Sequence, residues 1–131
     1  MTAMCFNDKQ LELVRKVSGG NRLTAPIEYK WKEVSPEEYE ESARSLACGL
    51  MVKGLHRGDT VNVSNASDDS FAFISFACRL AHLTPSCKEG DSGFAINALS
   101  DDAGYLMNIG AAWMGKYKQI LDRSIRSLSI N

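Results

Sequence analysis

Apolar and polar positions along the chain change period several times, and each change marks an element. In IEYKWKEV, Ile27 to Val34, the residues Ile27, Tyr29, Trp31 and Glu33 share one side at period two. That pattern predicts an extended segment or edge strand. The period then lengthens. Tyr39, Ala43, Leu46, Ala47 and Leu50 recur at helical spacing and predict a helix with one buried stripe. Ser35 suits the N-cap, Pro36 the first helical position, and Glu38 completes an S-x-x-E capping box. Glu37, Glu38, Glu40 and Glu41 put negative charge at the positive end of the helix dipole. Gly54 suits a left-handed cap that ends the helix. Thr60 to Ser64 then alternates, with Val61 and Val63 on one face, as a strand does.

Ser67 predicts the cap of a second helix, with Asp68 and Asp69 in its first turn. Its sequence, SFAFISFACRLAHL, is apolar on nearly every side and ends at Thr84-Pro85, the mark of a helix sandwiched in a larger body. A third helix is predicted from about Gly93 to Ala103, leading into a candidate strand from Tyr105 to Ile109. A last helix from about Trp113 to Ser127 carries Trp113, Tyr117, Ile120, Leu121 and Ile125 on its apolar side. Near the start, Lys9 to Val17 predicts a short helix stopped by Ser18-Gly19-Gly20. The alternating order of helices and strands predicts an α/β fold: three-layer, with a short, mostly parallel sheet flanked by helices.

Composition narrows the class. The 131 residues fit one domain, and 44% apolar with 24% charged residues is a folding composition rather than a disordered one. A net charge of −1 gives no electrostatic case for nucleic acid. Basic residues are scattered apart from Lys116, Lys118, Arg123 and Arg126, which fit the wet side of the last helix. No apolar run approaches the roughly 18 residues of a membrane span. MTAMCFNDKQLELVRK lacks the basic start and apolar block of a secretory signal. A cytoplasmic chain is therefore expected, with Cys5, Cys48, Cys78 and Cys87 as reduced thiols, since their spacing makes no CxxC pair. Asn62-Val63-Ser64 and Asn65-Ala66-Ser67 match the glycosylation pattern but carry little weight without a secretory route.

Three stretches share a family pattern. These are YKWKEV (Tyr29 to Val34), A-x-x-L-A-x-G-L (Ala43 to Leu50) and G-L-x-x-G-D-x-V (Gly54 to Val61). A polar turn with Asn65, the apolar helix Phe71 to Leu83 and Pro85 continue it. Ala95-Ile96 and Leu99 to Ala103 are similar to a helix of the form A-I-x-x-x-L-x-D-A. Together, residues 27 to 110 resemble the N-terminal region of the acyl-CoA synthetases, members of the adenylate-forming (AMP-binding) superfamily. The aromatic opening YKW is closest to the long-chain fatty-acid branch. Departures are Ala81 to Pro85 in place of a β-rich run reaching Val-Pro, the charged loop SCKEGDSG, and Tyr105 to Ile109 in place of a valine-rich strand.

The resemblance implies an ATP-dependent ligase in the intact family, using ATP, Mg and coenzyme A. A carboxylate attacks ATP, an acyl-adenylate forms, and the acyl group passes to coenzyme A. That chemistry needs a Gly/Ser/Thr-rich loop with a lysine to cradle phosphates. It also needs a Tyr-Gly-Thr-Glu segment, a ribose-binding aspartate and a lysine on a mobile C-terminal domain. None of these occurs in the 131 residues. The implied organisation is an N-terminal extension, 1–26, and a partial N-terminal AMP-binding subdomain, 27–131, non-catalytic alone. No catalytic, cofactor-binding or metal residue is carried over. The implied partner is the C-terminal portion of such an enzyme. A different expectation is an interaction module. The helix from Ser67 to Leu83 is apolar all round with few strands to cover it, so exposed apolar surface would drive self-association. A small stand-alone α/β protein is the third.

Other constellations have plainer readings. Gly90-Asp91-Ser92-Gly93 is short for a phosphate loop and has no G-K-[ST], so it predicts a turn with a helix cap. Cys78 and His82 are four apart on the expected helix and Cys87 follows. Three ligands fall short of the usual four, and a buried thiol with a packed histidine is expected instead. A Cys–His nucleophile would need Cys48, Cys78 or Cys87 beside His56 or His82 and an orienting group. Arg57-Gly58-Asp59 reads as part of a helix-to-strand turn. The pairs Asp68/Asp69 and Asp101/Asp102 read as helix-start charge and a solvated face.

Overall fold

Strand β1 (Thr24–Ile27) turns straight back into β2 (Lys30–Glu33), and the pair run antiparallel with Ile27 opposite Lys30. This computed structural model describes residues 22–88 and 93–128. Only Glu28 and Tyr29 form the loop, and both have positive φ, 49° and 69°. Two left-handed residues give the turn that matches the twist of a tight hairpin. The single extended segment expected over Ile27 to Val34 is thus split into the end of one strand and the whole of the next. Asn-Gly usually announces such a turn; Glu-Tyr hides it. Tyr29 is 83% exposed, so it can be replaced without loss of packing. The double change Glu28→Asn, Tyr29→Gly relieves left-handed strain worth about 1–2 kcal/mol per residue, part of which the added chain entropy of glycine offsets. It is expected to raise the urea midpoint by the equivalent of ~1 kcal/mol.

Helix α1 (Pro36–Val52) starts as its sequence predicts. Ser35 Oγ accepts the Glu38 N–H at 3.2 Å and Glu38 Oε1 accepts the Ser35 N–H at 3.4 Å. Tyr39, Ala43, Leu46, Ala47 and Leu50 are wholly buried. Glu40, expected among the helix-start acids, is buried instead and pairs with buried Arg44 one turn on. The helix ends at Lys53, with Gly54 left-handed at φ 95°. Gly54 N–H donates to Met51 O and Leu55 N–H to Leu50 O, the doubly bonded C-terminal cap that glycine favours.

Strand β3 (Thr60–Ser64) leads through Asn65 into helix α2 (Asp68–Leu80), capped by Ser67. Helix α2 stops at Leu80, short of the expected Leu83. His82 takes the left-handed position, φ 58°, with its N–H donating to Arg79 O and the Leu83 N–H to Cys78 O. This repeats the α1 cap with histidine in glycine's place, which is why no glycine marked the end. Thr84–Ser86 is then strand β4, parallel to β3. Pro85 fits there because β4 is an edge strand.

The third helix expected from Gly93 to Ala103 is not formed. Phe94–Asn97 is strand β5, parallel to β3, with Phe94 beside Val61 and Ile96 beside Val63. Nor is Tyr105 to Ile109 a strand. One long helix, α3, runs Asp102–Leu128 and takes in both that segment and the expected last helix. Among the positions of α3 whose burial is described, Ala103, Leu106 and Gly110 are the buried ones, a helical period that the apolar Tyr-Leu-Met cluster masks. A Cβ on Gly110 would run into Ser45 O, and one on Gly49 into Leu106 O. The two glycines therefore let α1 and α3 meet backbone to backbone.

The sheet order is β4-β3-β5, all parallel. Val61, Val63 and Ile96 are buried on one face, and the three helices pack together there. Thr60, Asn62 and Ser64 alternate toward the other side and are half-buried or exposed. The fold is α/β with a small parallel sheet, as expected, but not three-layer: among the described residues the helices lie on one face only. The expected helix from Lys9 to Val17 lies outside the described residues. At the centre, the Tyr39 ring meets Phe73 edge-on at 5.3 Å and stacks on Phe76 at 5.7 Å. Trp31 joins the hairpin to this cluster, edge-on to Phe73 at 5.6 Å, while its Nε1–H donates to Ala98 O at 2.8 Å.

Candidate functional site

In parallel α/β sheets ligands gather outside the carboxyl ends of the strands, where neighbouring connections part to opposite faces. Here that edge is built by Ser64 at the end of β3 and Asn97 at the end of β5, side by side in register. The chain leaves β3 through Asn65, left-handed at φ 57°, a conformation asparagine tolerates. It leaves β5 through Ala98 to Asp101 into α3. Both connections rise to the face the helices occupy, so the sheet does not part them.

Several polar groups at this edge bind one another. Asn65 Nδ2 donates to Asn97 Oδ1 at 3.2 Å, and Leu99 N–H donates to the same oxygen at 3.0 Å. Ala98 N–H donates to Ser64 O at 2.9 Å. Asp102 Oδ2 accepts the Asn97 N–H at 2.9 Å, and Ser100 Oγ donates to Asn97 O at 2.8 Å. Ser67 and Ser70 close a reciprocal cap on α2, and Asp69 Oδ2 lies 3.4 Å from Arg22 Nε. Asn97 is thus the hub that joins the two connections. It falls within the helix expected from Gly93 to Ala103; the run Asn97-Ala98-Leu99-Ser100-Asp101-Asp102, dense in capping residues, is the signal for a turn there.

A second concavity, an open cavity of 470 Å³, lies at the opposite edge of the sheet. Lys53, Asp59, Thr60 and Phe94 line it with three glycines, Gly54, Gly58 and Gly93. Its charged groups are already engaged. Lys53 Nζ sits 5.1 Å above the Tyr105 ring, and Asp59 Oδ2 accepts the His56 N–H at 2.7 Å. Gly93, φ 144°, lets the chain pass close to Thr60, where a Cβ would stand 2.6 Å from the Thr60 carbonyl oxygen. It precedes a strand, so the cap expected in Gly90-Asp91-Ser92-Gly93 opens no helix at Phe94; residues 90–92 lie outside the described residues.

Cys78 is wholly buried in α2, whereas His82 lies beyond the helix end, so their four-residue helical spacing is lost. No three metal-ligating side chains converge among the described residues. Burial pushes the Cys48 thiol up to about 11 and the Cys78 thiol up to about 12. Either thiolate is then a fraction of ~0.1% or less at pH 8, and the thiolate is the nucleophile. Cys87 is exposed. Iodoacetamide at pH 8 is expected to label Cys87 in the native protein and to spare Cys48 and Cys78 until urea is added, read by peptide mass. Arg57-Gly58-Asp59 forms the turn into β3, with Gly58 at φ 90° and its N–H donating to His82 O. Asp68 and Asp69 occupy the first turn of α2, and Asp102, expected on a solvated face, binds the Asn97 backbone.

Helix α2 is not the exposed apolar surface that the interaction-module expectation required. Ala72, Phe73, Ile74, Phe76, Ala77, Cys78 and Leu80 are all buried. Compared with protein-family models, with curated proteins and with solved structures, the chain has no match. Among the described residues no helix is long and apolar enough to cross a membrane.

Proposed function

We propose that this chain is a fragment or truncated relative of a long-chain fatty-acid–CoA ligase, part of the N-terminal subdomain of the adenylate-forming fold, and that it supplies scaffold rather than catalysis. The observation that carries the reading is the stretch G-L-x-x-G-D-x-V. It forms one helix-to-strand connection, with Gly54 and Gly58 both at positive φ and Val61 at the centre of a parallel sheet. The order around it supports the reading: α1, β3, the Asn65 turn, the apolar α2 and then Pro85 follow one another as in the resemblance. The likeness stops at β5, where Ala95-Ile96 are strand and Leu99 to Asp101 are turn instead of the family's helix. A cytoplasmic location goes with this reading, as do free thiols at Cys48, Cys78 and Cys87.

The test is incubation of the chain with ATP, Mg, a long-chain fatty acid and coenzyme A, with pyrophosphate release followed beside an intact ligase. The expected rate is that of the blank. Turnover above blank overturns the scaffold reading. The family reading falls separately, to a crystal structure in which β3 and β4 are not parallel neighbours.

A second reading is an interaction module, favoured by the exposure of Leu99 (79%), Tyr105 (54%) and Trp113 (46%). Elution as a monomer at every concentration, with no uptake of a hydrophobic dye, would contradict it.

A further inference from the structure

We draw no further inference here: the strongest candidate, the exposed apolar patch of Leu99 and Tyr105 where β5 runs into α3, is a surface for which nothing in the structure shows what covers it.

Discussion

Phe73→Ala is expected to lower stability by about 3–5 kcal/mol, the usual range for emptying a fully buried aromatic site. Phe73 is wholly buried on α2 and touches the rings of Tyr39 from α1 and Trp31 from the hairpin. Its loss leaves a cavity where three elements meet, and none can close on it without moving the others. Edge-on aromatic pairs are also worth about 0.5–1.5 kcal/mol beyond their buried area. Net stabilities of small domains run to only about 5–15 kcal/mol, so the variant sits near the folding threshold. Urea unfolding followed by circular dichroism reads the effect. Phe73→Leu, which keeps most of the volume, separates cavity from ring geometry and should lose markedly less.

Gly110→Ala carries the second large effect, and its sign is the informative part. Glycine to alanine inside a helix normally gains roughly 1 kcal/mol. At Gly110 the new methyl would meet Ser45 O and the Gly49 backbone nitrogen, which belong to the main chain of α1 and cannot rotate away. The helices must separate, and overpacking of this kind costs about 1–3 kcal/mol. Gly49→Ala meets the Leu106 carbonyl from the other side and should behave alike. Gly115→Ala, with nothing within 4 Å of its added carbon, should stabilise by ~0.5–1 kcal/mol. Opposite signs for two glycines five residues apart on one helix would establish that α1 and α3 meet at Gly110 and not at Gly115. Equal gains at both would mean that the helices lie further apart.

The sequence announced elements wherever local chemistry agreed with tertiary packing. Ser35-Pro36-Glu38 and Ser67 are caps whose side chains meet the first backbone N–H groups, and both formed as expected. Tyr39, Ala43, Leu46, Ala47 and Leu50 are buried as expected, but so is every other residue from Ala43 to Leu50, because α3 presses on the side of α1 where Ser45 and Gly49 lie. Beyond Leu80 the signals failed for physical reasons. His82 ends a helix in a conformation that glycine normally advertises, so nothing in the sequence marks a stop before Thr84-Pro85. Strand β5 is four residues long, too short for period two to stand out from period 3.6. Its identity depends on Val61 and Val63, about 33 residues away in sequence. Gly110, between the expected strand and the expected last helix, marks where α3 presses against α1. The hairpin was missed because Glu28-Tyr29 occupies left-handed positions without the residues that favour them.

At the candidate site, sequence supplied the parts and not their use. Asn65, Ser67 and Asp69 were visible as a polar turn after a strand. That Asn97 would stand opposite Asn65 depends on the register of β5 with β3. Once they meet, the amides, hydroxyls and carboxylates at this edge cap helices and tie loops together. That leaves a scaffold edge rather than a row of donors aimed at a phosphate.

Hydrogen bonds within this edge leave it a scaffold without a nucleotide site, which is checked by titrating Mg-ATP into the isotope-labelled protein and following its backbone amide resonances. No saturable shift is expected at Ser64 to Ser70 or Asn97 to Asp102 up to millimolar nucleotide. Saturable shifts at those amides, fitting one site, would contradict it.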